Sequence, residues 1–307
     1  MDCILLFYRR PRSGSGIPNQ PGVAVTGRLD AQGNYTDLAT YDGFDYWHDI
    51  VPVDTTTGRV LFHQPGSLKT VGEVGADGGY SDVKNSTGAP SPFRFFSMRD
   101  GILMSYSTTG SQVVVAITQT WKLASNGDFD VLSEPRLLDP WVHIVPTVNG
   151  LVLFYGANTA TAATAATGLI TPEGAFRDLK SLEGFDQWSH VVSTSDGILL
   201  FYNQGTGAAV TGKIVDAEGN YADLQNVTLD RGWHQIVPTT NGLLLFYRAT
   251  PGSAPEAVVG RINPSTGVYG DVSLVKGLER WDKIVCVRAL NTIRKKKRPK
   301  ISGRRKA

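Results

Sequence analysis

ILLFY at Ile198–Tyr202, GNYADL at Gly219–Leu224 and WHQIVP at Trp233–Pro238 form one unit of a repeat, which starts again with LLLFY at Leu243–Tyr247. Apolar runs of this kind recur with a period of about 47 residues, a length typical of solenoids and propellers, and they begin near Ile4, Val60, Ile102, Leu151, Ile198 and Leu243. Because the repeat runs through most of the chain, we expect one domain over residues 1–290 and a separate tail over residues 291–307.

Each unit contains four short strand-like segments separated by turns. In the fifth unit these are Ile198–Tyr202, Ala208–Val215, Tyr221–Leu224 and Trp233–Val237, with Gly and Asn in the breaks. Four antiparallel strands make up one blade of a β-propeller. Six units therefore predict an all-β, six-bladed β-propeller of four-stranded antiparallel blades. A β-solenoid is the main alternative, but the terminal units lack the atypical caps that solenoids need.

The two ends of the chain supply the halves of one hairpin. The chain begins at the LLFY strand and ends at the Trp strand, and elsewhere these two strands follow each other across a short turn. Pairing Trp281–Val285 with Ile4–Tyr8 would close the ring between the N- and C-terminal strands. Cys3 and Cys286 flank this missing turn, so we predict Cα atoms about 5–7 Å apart, within disulfide reach. The alternative is that two small residues lie near the ends by chance, and a bond would form only in an oxidising compartment.

Charge is unevenly distributed along the chain. Of 30 basic residues, nine lie in the tail at residues 291–307, which leaves 21 basic and 28 acidic residues and a formal charge of −7 for residues 1–290. A mildly acidic body argues against nucleic acid as its ligand, because phosphate binding needs a concentrated positive face. We expect the tail to be disordered; KKKRPK within it also fits nuclear import or anion binding.

Motifs for catalysis and cofactors are missing from the sequence. There is no Gly-x-Ser-x-Gly, no phosphate-binding loop, no His-Glu-x-x-His and no zinc-type Cys/His spacing. These observations predict a protein that is not an enzyme and that needs no metal or other cofactor. Acidic residues do recur beside Gly and Asn, and turn formation explains most of them: Asp30, Asp37, Asp178, Asp216, Asp223 and Asp271.

The sequence does not fix the compartment. The apolar run in MDCILLFYRRPR is too short and wrongly flanked for a signal peptide. No stretch approaches the ~20 apolar residues of a membrane helix. We expect a soluble protein without a membrane span, and both secretion and a cytoplasmic location stay open.

The series W-x-x-I-V-P, x-G-L-L-L-F-Y and G-x-Y-x-D-L resembles the tandem Trp-containing repeats of bacterial and fungal β-propellers. These include propeller lectins of the tachylectin type and of the Photorhabdus type. The resemblance spans about residues 3–286 and lies at the level of the blade. It implies ligand sites in the grooves between adjacent blades, with multivalent binding of a carbohydrate or glycoconjugate.

Tryptophans and histidines recur at fixed places in the units and are the candidate ligand-binding residues. A large ring in each unit is expected to pack blade against blade, but it could also stack on a sugar. The candidate rings are Trp47, Trp141, Trp188, Trp233 and Trp281, and the additional Trp121, which breaks the repeat. Histidines that follow the Trp could bind a ligand hydroxyl, although capping of a backbone group explains them as well: His143, His190 and His234.

The sequence thus predicts a non-catalytic binding module, in the first place a lectin with pockets between its blades. A protein-interaction platform would instead show one large patch. A propeller glycoside hydrolase, or a module that targets one, would show carboxylates gathered at the axis. The second unit departs most from the pattern, with Phe62-His63 for Phe-Tyr and FRFF at Phe93–Phe96 where the Trp belongs. We therefore expect it to lack a pocket.

Overall fold

The computed structural model describes residues 2–14, 17–64, 68–87, 94–98, 100–108, 116–137, 141–156 and 163–290. In chain order, the first strands are β1 (Asp2–Arg9), β2 (Arg12–Gly14), β3 (Ile17–Gln20), β4 (Gly22–Leu29), β5 (Tyr35–Phe44), β6 (Asp49–Asp54), β7 (Arg59–Gln64), β8 (Leu68–Val74) and β9 (Tyr80–Thr87). They are followed by β10 (Arg94–Ser97), β11 (Ile102–Thr108), β12 (Ala116–Leu123), β13 (Phe129–Ser133), β14 (Arg136–Leu137), β15 (His143–Pro146), β16 (Leu151–Gly156), β17 (Ala163–Ile170) and β18 (Phe176–Phe185). The last are β19 (His190–Ser193), β20 (Ile198–Tyr202), β21 (Ala208–Ile214), β22 (Tyr221–Thr228), β23 (Gln235–Pro238), β24 (Leu243–Arg248), β25 (Glu256–Ile262), β26 (Tyr269–Val275) and β27 (Lys283–Leu290), and a 3₁₀ turn spans Val148–Gly150.

These strands form six antiparallel blades, which confirms the predicted six-bladed propeller. Blade 1 has the order β27-β1-β4-β5, and blades 2 to 6 are β6 to β9, β10 to β13, β15 to β18, β19 to β22 and β23 to β26. The short strands β2 and β3 pair with each other, and β14 adds to β12 in blade 3. Each blade thus follows the strand, turn and strand pattern that the repeat predicted.

Blade 1 is assembled from both ends of the chain. Strand β27 pairs antiparallel with β1, with Lys283 opposite Tyr8 and Ile284 opposite Phe7. In the other blades the two equivalent strands follow each other directly in the chain, whereas in blade 1 they come from opposite ends of it. The predicted closure of the ring by the terminal strands is confirmed.

The first strand of each blade lies at the axis. Strands β6, β10, β15, β19, β23 and β27 contact one another in succession around the ring, and β27 also contacts β6. The fourth strand of each sheet lies at its other edge. Residues of the first strands therefore line a central channel, and residues of the third and fourth strands form the grooves between blades.

The second strand of each blade is buried on both faces. Ile198–Tyr202 is buried at every position, as are Leu5 to Tyr8 and Leu243 to Tyr247. Successive side chains of a strand point to opposite faces. Such a strand is therefore stable only with a neighbouring blade on each side.

A buried tyrosine at the end of this strand fixes the start of the next blade. The Tyr155 hydroxyl donates to the Asp186 carbonyl (2.7 Å) and accepts from the Trp188 amide (2.8 Å). The same pair of bonds is made by Tyr8, Tyr202 and Tyr247. In blade 2, His63 takes this place, is fully buried and packs edge-on against Phe95.

A threonine in the third strand joins each of several blades to the next. Thr211 Oγ1 donates to the Gly267 carbonyl (2.9 Å), which lies in a turn of the following blade. The equivalent bonds are Thr26 to Gly78, Thr120 to Gly174 and Thr167 to Gly219. From blade 6 to blade 1, Ser273 donates to Gly33 instead (2.6 Å).

The predicted tail at residues 291–307 lies outside the described residues, so its order stays a prediction. Among the described residues, no helix is long and apolar enough to cross a membrane.

Tyr155→Phe is expected to lower the free energy of unfolding by about 1–3 kcal/mol, because a partly buried amide and a partly buried carbonyl lose their shared partner. Chemical denaturation of the full chain measures the change. Tyr46→Phe is the control, since Tyr46 is 44% exposed and should tolerate loss of its hydroxyl. Equal stability of the two variants would contradict the role assigned to Tyr155.

Candidate functional site: grooves between blades and the axial channel

Among the described residues, three equivalent cavities open between adjacent blades. The cavity between blades 1 and 2 has a volume of about 390 Å³, and those between blades 4 and 5 and between blades 6 and 1 have about 290 Å³ each. Each contains the same positions of the repeat: Phe44, Trp47, Tyr80, Asp82 and Asn85 in the first, Phe185, Trp188, Tyr221, Asp223 and Asn226 in the second, and Leu278, Trp281, Tyr35, Asp37 and Thr40 in the third. The repeat thus builds the same type of pocket at three places.

A tyrosine and an aspartate two residues later form the polar wall of each pocket. The Tyr221 hydroxyl donates to Asp223 Oδ1 at 2.7 Å, and the same bond joins Tyr80 to Asp82 at 2.6 Å and Tyr35 to Asp37 at 2.7 Å. Burial and the adjacent carboxylate raise the pKa of each of these phenols, so they remain donors at neutral pH. One carboxylate oxygen of each exposed aspartate stays available to a ligand.

Glycine in the neighbouring strand makes room for this tyrosine. A Cβ atom at Gly212 would lie 2.1 Å from the Tyr221 hydroxyl, and one at Gly27 or Gly72 would meet Tyr35 or Tyr80 just as closely. The ring of the tyrosine therefore lies directly against the backbone. This close approach explains why the repeat has Gly in the third strand, next to the threonine that joins the blades.

Two other grooves, between blades 2 and 3 and between blades 5 and 6, differ from these pockets. Between blades 2 and 3, Trp121, Phe129 and Phe95 leave a cavity of only about 10 Å³. Between blades 5 and 6, the Arg248 guanidinium lies 4.5 Å from the centre of the Trp233 ring. Leu274 there occupies the position of Asn85 and Asn226.

Blade 2 does contribute to a pocket, contrary to the expectation from its divergent sequence. Its outer strand supplies Tyr80, Asp82 and Asn85 to the open groove facing blade 1. Of the departures that the sequence shows, His63 lies in blade 2 and Phe95 in β10 of blade 3, and the two rings pack together beside the filled groove. The divergence therefore affects the interface between blades 2 and 3 and leaves the pocket facing blade 1 intact.

The candidate tryptophans are mostly packing residues in the structure. Trp47, Trp141, Trp233 and Trp281 are between 4% and 9% exposed, and Trp188 and Trp121 are half-buried. Trp47, Trp188 and Trp281 line the three open pockets. Trp121 fills the closed groove, and its indole Nε1 donates to Ser105 Oγ at 2.9 Å. A role of these rings in stacking on a sugar stays a prediction, with only a small ring area available.

Two of the candidate histidines belong to a ring of polar residues around the axis. In every blade the first strand pairs with the second strand in the same register. One residue of each first strand therefore lies opposite the Tyr or His of its second strand, namely Tyr8, His63, Tyr106, Tyr155, Tyr202 or Tyr247. Since the strands are equivalent, these six residues lie at one level of the channel. We call them the axial ring: Asp49, Arg94, His143, His190, Gln235 and Lys283.

The histidines of the axial ring are held in the neutral form. Burial lowers the pKa of His143 to about 4, with the nearby His190 and Arg94 as further causes. Burial also lowers the pKa of His190, whose Nε2 lies 3.0 Å from the His234 carbonyl and donates to it. His234 itself lies one position before the ring, and its Nδ1 accepts from the Ala249 amide at 3.1 Å.

Cys3 and Cys286 lie buried in one apolar cluster and are free thiols in the structure. They are not directly opposite each other, because Cys3 faces Ala289 and Cys286 faces Leu5. A hydrogen bond between the two thiols raises the pKa of Cys3 and lowers that of Cys286. The disulfide stays a prediction, and the diagonal register means that its formation would require a local shift.

Sequence reasoning missed the residues that build the pockets. It explained Asp37 and Asp223 as turn residues, whereas their carboxylates accept from a tyrosine in the same strand. Asp30 and Asp216 do cap turns, by accepting from the amides of Asn34 and Asn220. The recurrence of Tyr-x-Asp at alternate positions was the available signal, because such residues lie on the same face of a strand.

No protein-family model matches the chain, and no curated protein matches it either. Solved structures of the same overall shape exist at low sequence identity. A putative 6-phosphogluconolactonase from Bacteroides uniformis is 12% identical, with a TM-score of 0.53 over 89% of this chain and 82% of that one. A chain of a nidogen/laminin complex is 12% identical (TM-score 0.52, coverage 94% and 98%), and a hypothetical selenium-binding protein from Sulfolobus tokodaii is 7% identical (TM-score 0.51, coverage 94% and 92%).

These likenesses establish the fold alone, and none of the three proteins is named as a lectin. They also correct one prediction. The sequence predicts that the protein is not an enzyme, and this prediction is wrong, because similar propellers include putative 6-phosphogluconolactonases. Missing linear motifs do not exclude catalysis in a propeller, since side chains from different blades meet there through the fold.

The lowered pKa of His143 should make stability depend on pH. Between its unfolded pKa of about 6.5 and its folded pKa of about 4, the unfolded chain binds a proton that the folded chain excludes. The resulting stability is present above pH 6.5 and is lost as the pH falls, by about 2 kcal/mol between pH 7.5 and pH 5.

Denaturant unfolding of the full chain at the two pH values tests this expectation. His143→Gln should reduce the pH dependence, and Gln fits a ring position because Gln235 already occupies one in blade 6. An unchanged pH dependence in this variant would contradict the assignment.

Proposed function

We propose that the protein binds carbohydrate in the three open grooves between blades, as a multivalent binding module. The observation that carries this proposal is the repetition of one pocket, with a Tyr–Asp pair and an Asn or Thr, between blades 1 and 2, 4 and 5, and 6 and 1. A protein-interaction platform would present one extended patch instead. Similar small pockets around a ring are what a lectin-type function predicts.

The chemistry of the pockets suits a neutral, hydroxyl-rich ligand. Each pocket offers a carboxylate oxygen of Asp82, Asp223 or Asp37 as acceptor, beside aromatic rings that cover one side. In the first pocket Thr70 Oγ1 donates to Asn85 Oδ1 at 2.6 Å, which leaves the amide NH₂ as a donor for a ligand. Adjacent donors and acceptors can bind the neighbouring hydroxyls of one sugar ring.

The volumes suit small ligands. Cavities of about 290–390 Å³ lie at the lower end of the ~300–1,000 Å³ range of ligand pockets. Individual affinities should then be weak. Three sites on one rigid ring would compensate on a surface with many copies of the ligand, because linked sites raise avidity without new contacts.

The axial channel does not match a two-carboxylate glycosidase. Such an enzyme needs a pair of carboxyl groups about 5–9.5 Å apart. Among the described residues of the axial ring, Asp49 is the one carboxylate, beside Arg94 and Lys283. The grooves therefore remain the better place for a carbohydrate than the axis.

A glycan array with the full chain, followed by calorimetric titration of the best ligand, tests the proposal. We expect three sites per chain, two sites after Asp223→Ala, and no saturable binding after the combined change Asp37→Ala, Asp82→Ala and Asp223→Ala. Each substitution removes an acceptor from one groove and leaves the packed interface intact.

Asp271→Ala is the matched control. It removes the same bond, from Tyr269 at 2.7 Å, in the groove where Arg248 lies over Trp233 and Leu274 replaces the Asn, so three sites should remain. An array without any bound glycan would overturn the proposal. So would a combined variant that is as stable as the parent chain and still binds the ligand with the same stoichiometry.

A further inference from the structure

The axial ring surrounds the mouth of a cavity with a volume of about 410 Å³. Ring members from five blades line it, namely Asp49, Arg94, His190, Gln235 and Lys283. Below the ring the walls are apolar, with Ile50, Ile144, Ile236 and Ile284 at the next position of their strands. The cavity therefore has one polar end, built by six strands that the fold holds in a fixed register.

The polar end carries more positive than negative charge. Arg94 and Lys283 are cations, Asp49 is the single carboxylate of the ring, and the two histidines are neutral at pH 7. Among the described residues, neither Arg94 nor Lys283 forms an ion pair. Burial lowers the pKa of Lys283, the charges of Arg94 and Arg10 lower it further, and the charge of Asp49 raises it.

Contacts between blades satisfy the hydrogen-bonding groups of some residues of the axial ring, but not of all. Arg94 donates to the Val142 carbonyl at 3.3 Å, and Gln235 Oε1 accepts from the Ile284 amide at 2.8 Å. His190 donates to His234, as described above. By contrast, the Lys283 ammonium group makes no hydrogen bond to the described residues, although the side chain is partly buried at the cavity.

His190 lines the cavity with part of its ring. Its Nε2 donates to a carbonyl, and its Nδ1 is buried without a hydrogen-bond partner among the described residues. Because Nδ1 is closed off from the cavity, His190 contributes to the wall of the site and supplies no acceptor to a ligand.

We infer that the axial mouth binds a small anion with a carboxylate or phosphate group. Arg94 and Lys283 bind the anionic group, and the residues below them form apolar walls. This site differs from the grooves in position, in charge and in number, since the ring forms one site per chain. It is independent of the proposed carbohydrate binding.

Calorimetric titration of the full chain with four probes at fixed salt tests the inference. Gluconate and glucose 6-phosphate carry charge and hydroxyls, hexanoate has the charge alone, and glucose has the hydroxyls alone. We expect one site per chain for gluconate, glucose 6-phosphate and hexanoate, because each carries the anionic group, and no binding of glucose at this site. The comparison of the two hydroxylated anions decides between carboxylate and phosphate.

The combined variant Arg94→Gln and Lys283→Gln should weaken anion binding by at least about tenfold, equivalent to ~1.4 kcal/mol. The matched control is Arg177→Gln with Lys276→Gln, which removes the same charge from exposed positions on the outer part of two blades. The control should bind as the parent chain does.

Several results would overturn the inference. One is the absence of heat for both hydroxylated anions, and another is equal binding by the ring variant and its control. Glucose competing with gluconate for the same single site would also contradict it. Glucose binding at three sites would belong to the grooves if the combined change Asp37→Ala, Asp82→Ala and Asp223→Ala removes it. Such a result would not bear on the axial site.

Discussion

The fold depends on burial of the second strand of each blade on both of its faces. Strands such as Ile198–Tyr202 expose no side chain, so each needs an apolar sheet on either side. A linear stack would leave its two end blades with one face in water. Pairing of β27 with β1 removes these ends, and the ring is the arrangement in which every blade has two neighbours.

The two kinds of cavity follow from the same packing. A blade must be narrow at the axis and broad at its outer edge, so the inner strands meet around a channel and the outer strands diverge into grooves. Individual hydrogen bonds and one close packing contact then fix the geometry of each unit. The Tyr155 hydroxyl fixes the next blade's entry, Thr211 bonds to the following blade, and Gly212 lets Tyr221 lie against the sheet.

Differences among the units, rather than the common pattern, decide what the molecule offers to a ligand. Trp121 and Phe129 close one groove, while Asn226 and Asp223 keep another open and polar. At the axis, one equivalent position holds Asp, Arg, His, Gln or Lys in different blades. A structurally symmetric ring therefore presents chemically unequal sites, with acceptors in the grooves and excess positive charge at the axis.

The sequence by itself determined the number of blades, the four strands in each and the closure of the ring, because these follow from local patterns of apolar, Gly and Asn residues. The sequence also showed that tryptophans recur in the units, but it did not show whether they are buried. A tryptophan that packs between blades and one that binds a ligand recur with the same spacing. Only the tertiary structure decided which grooves are open and which residues share the axial level. Arg94 and Lys283 are far apart in the chain, and they line the same cavity only because the first strands of all blades lie in one register around one axis.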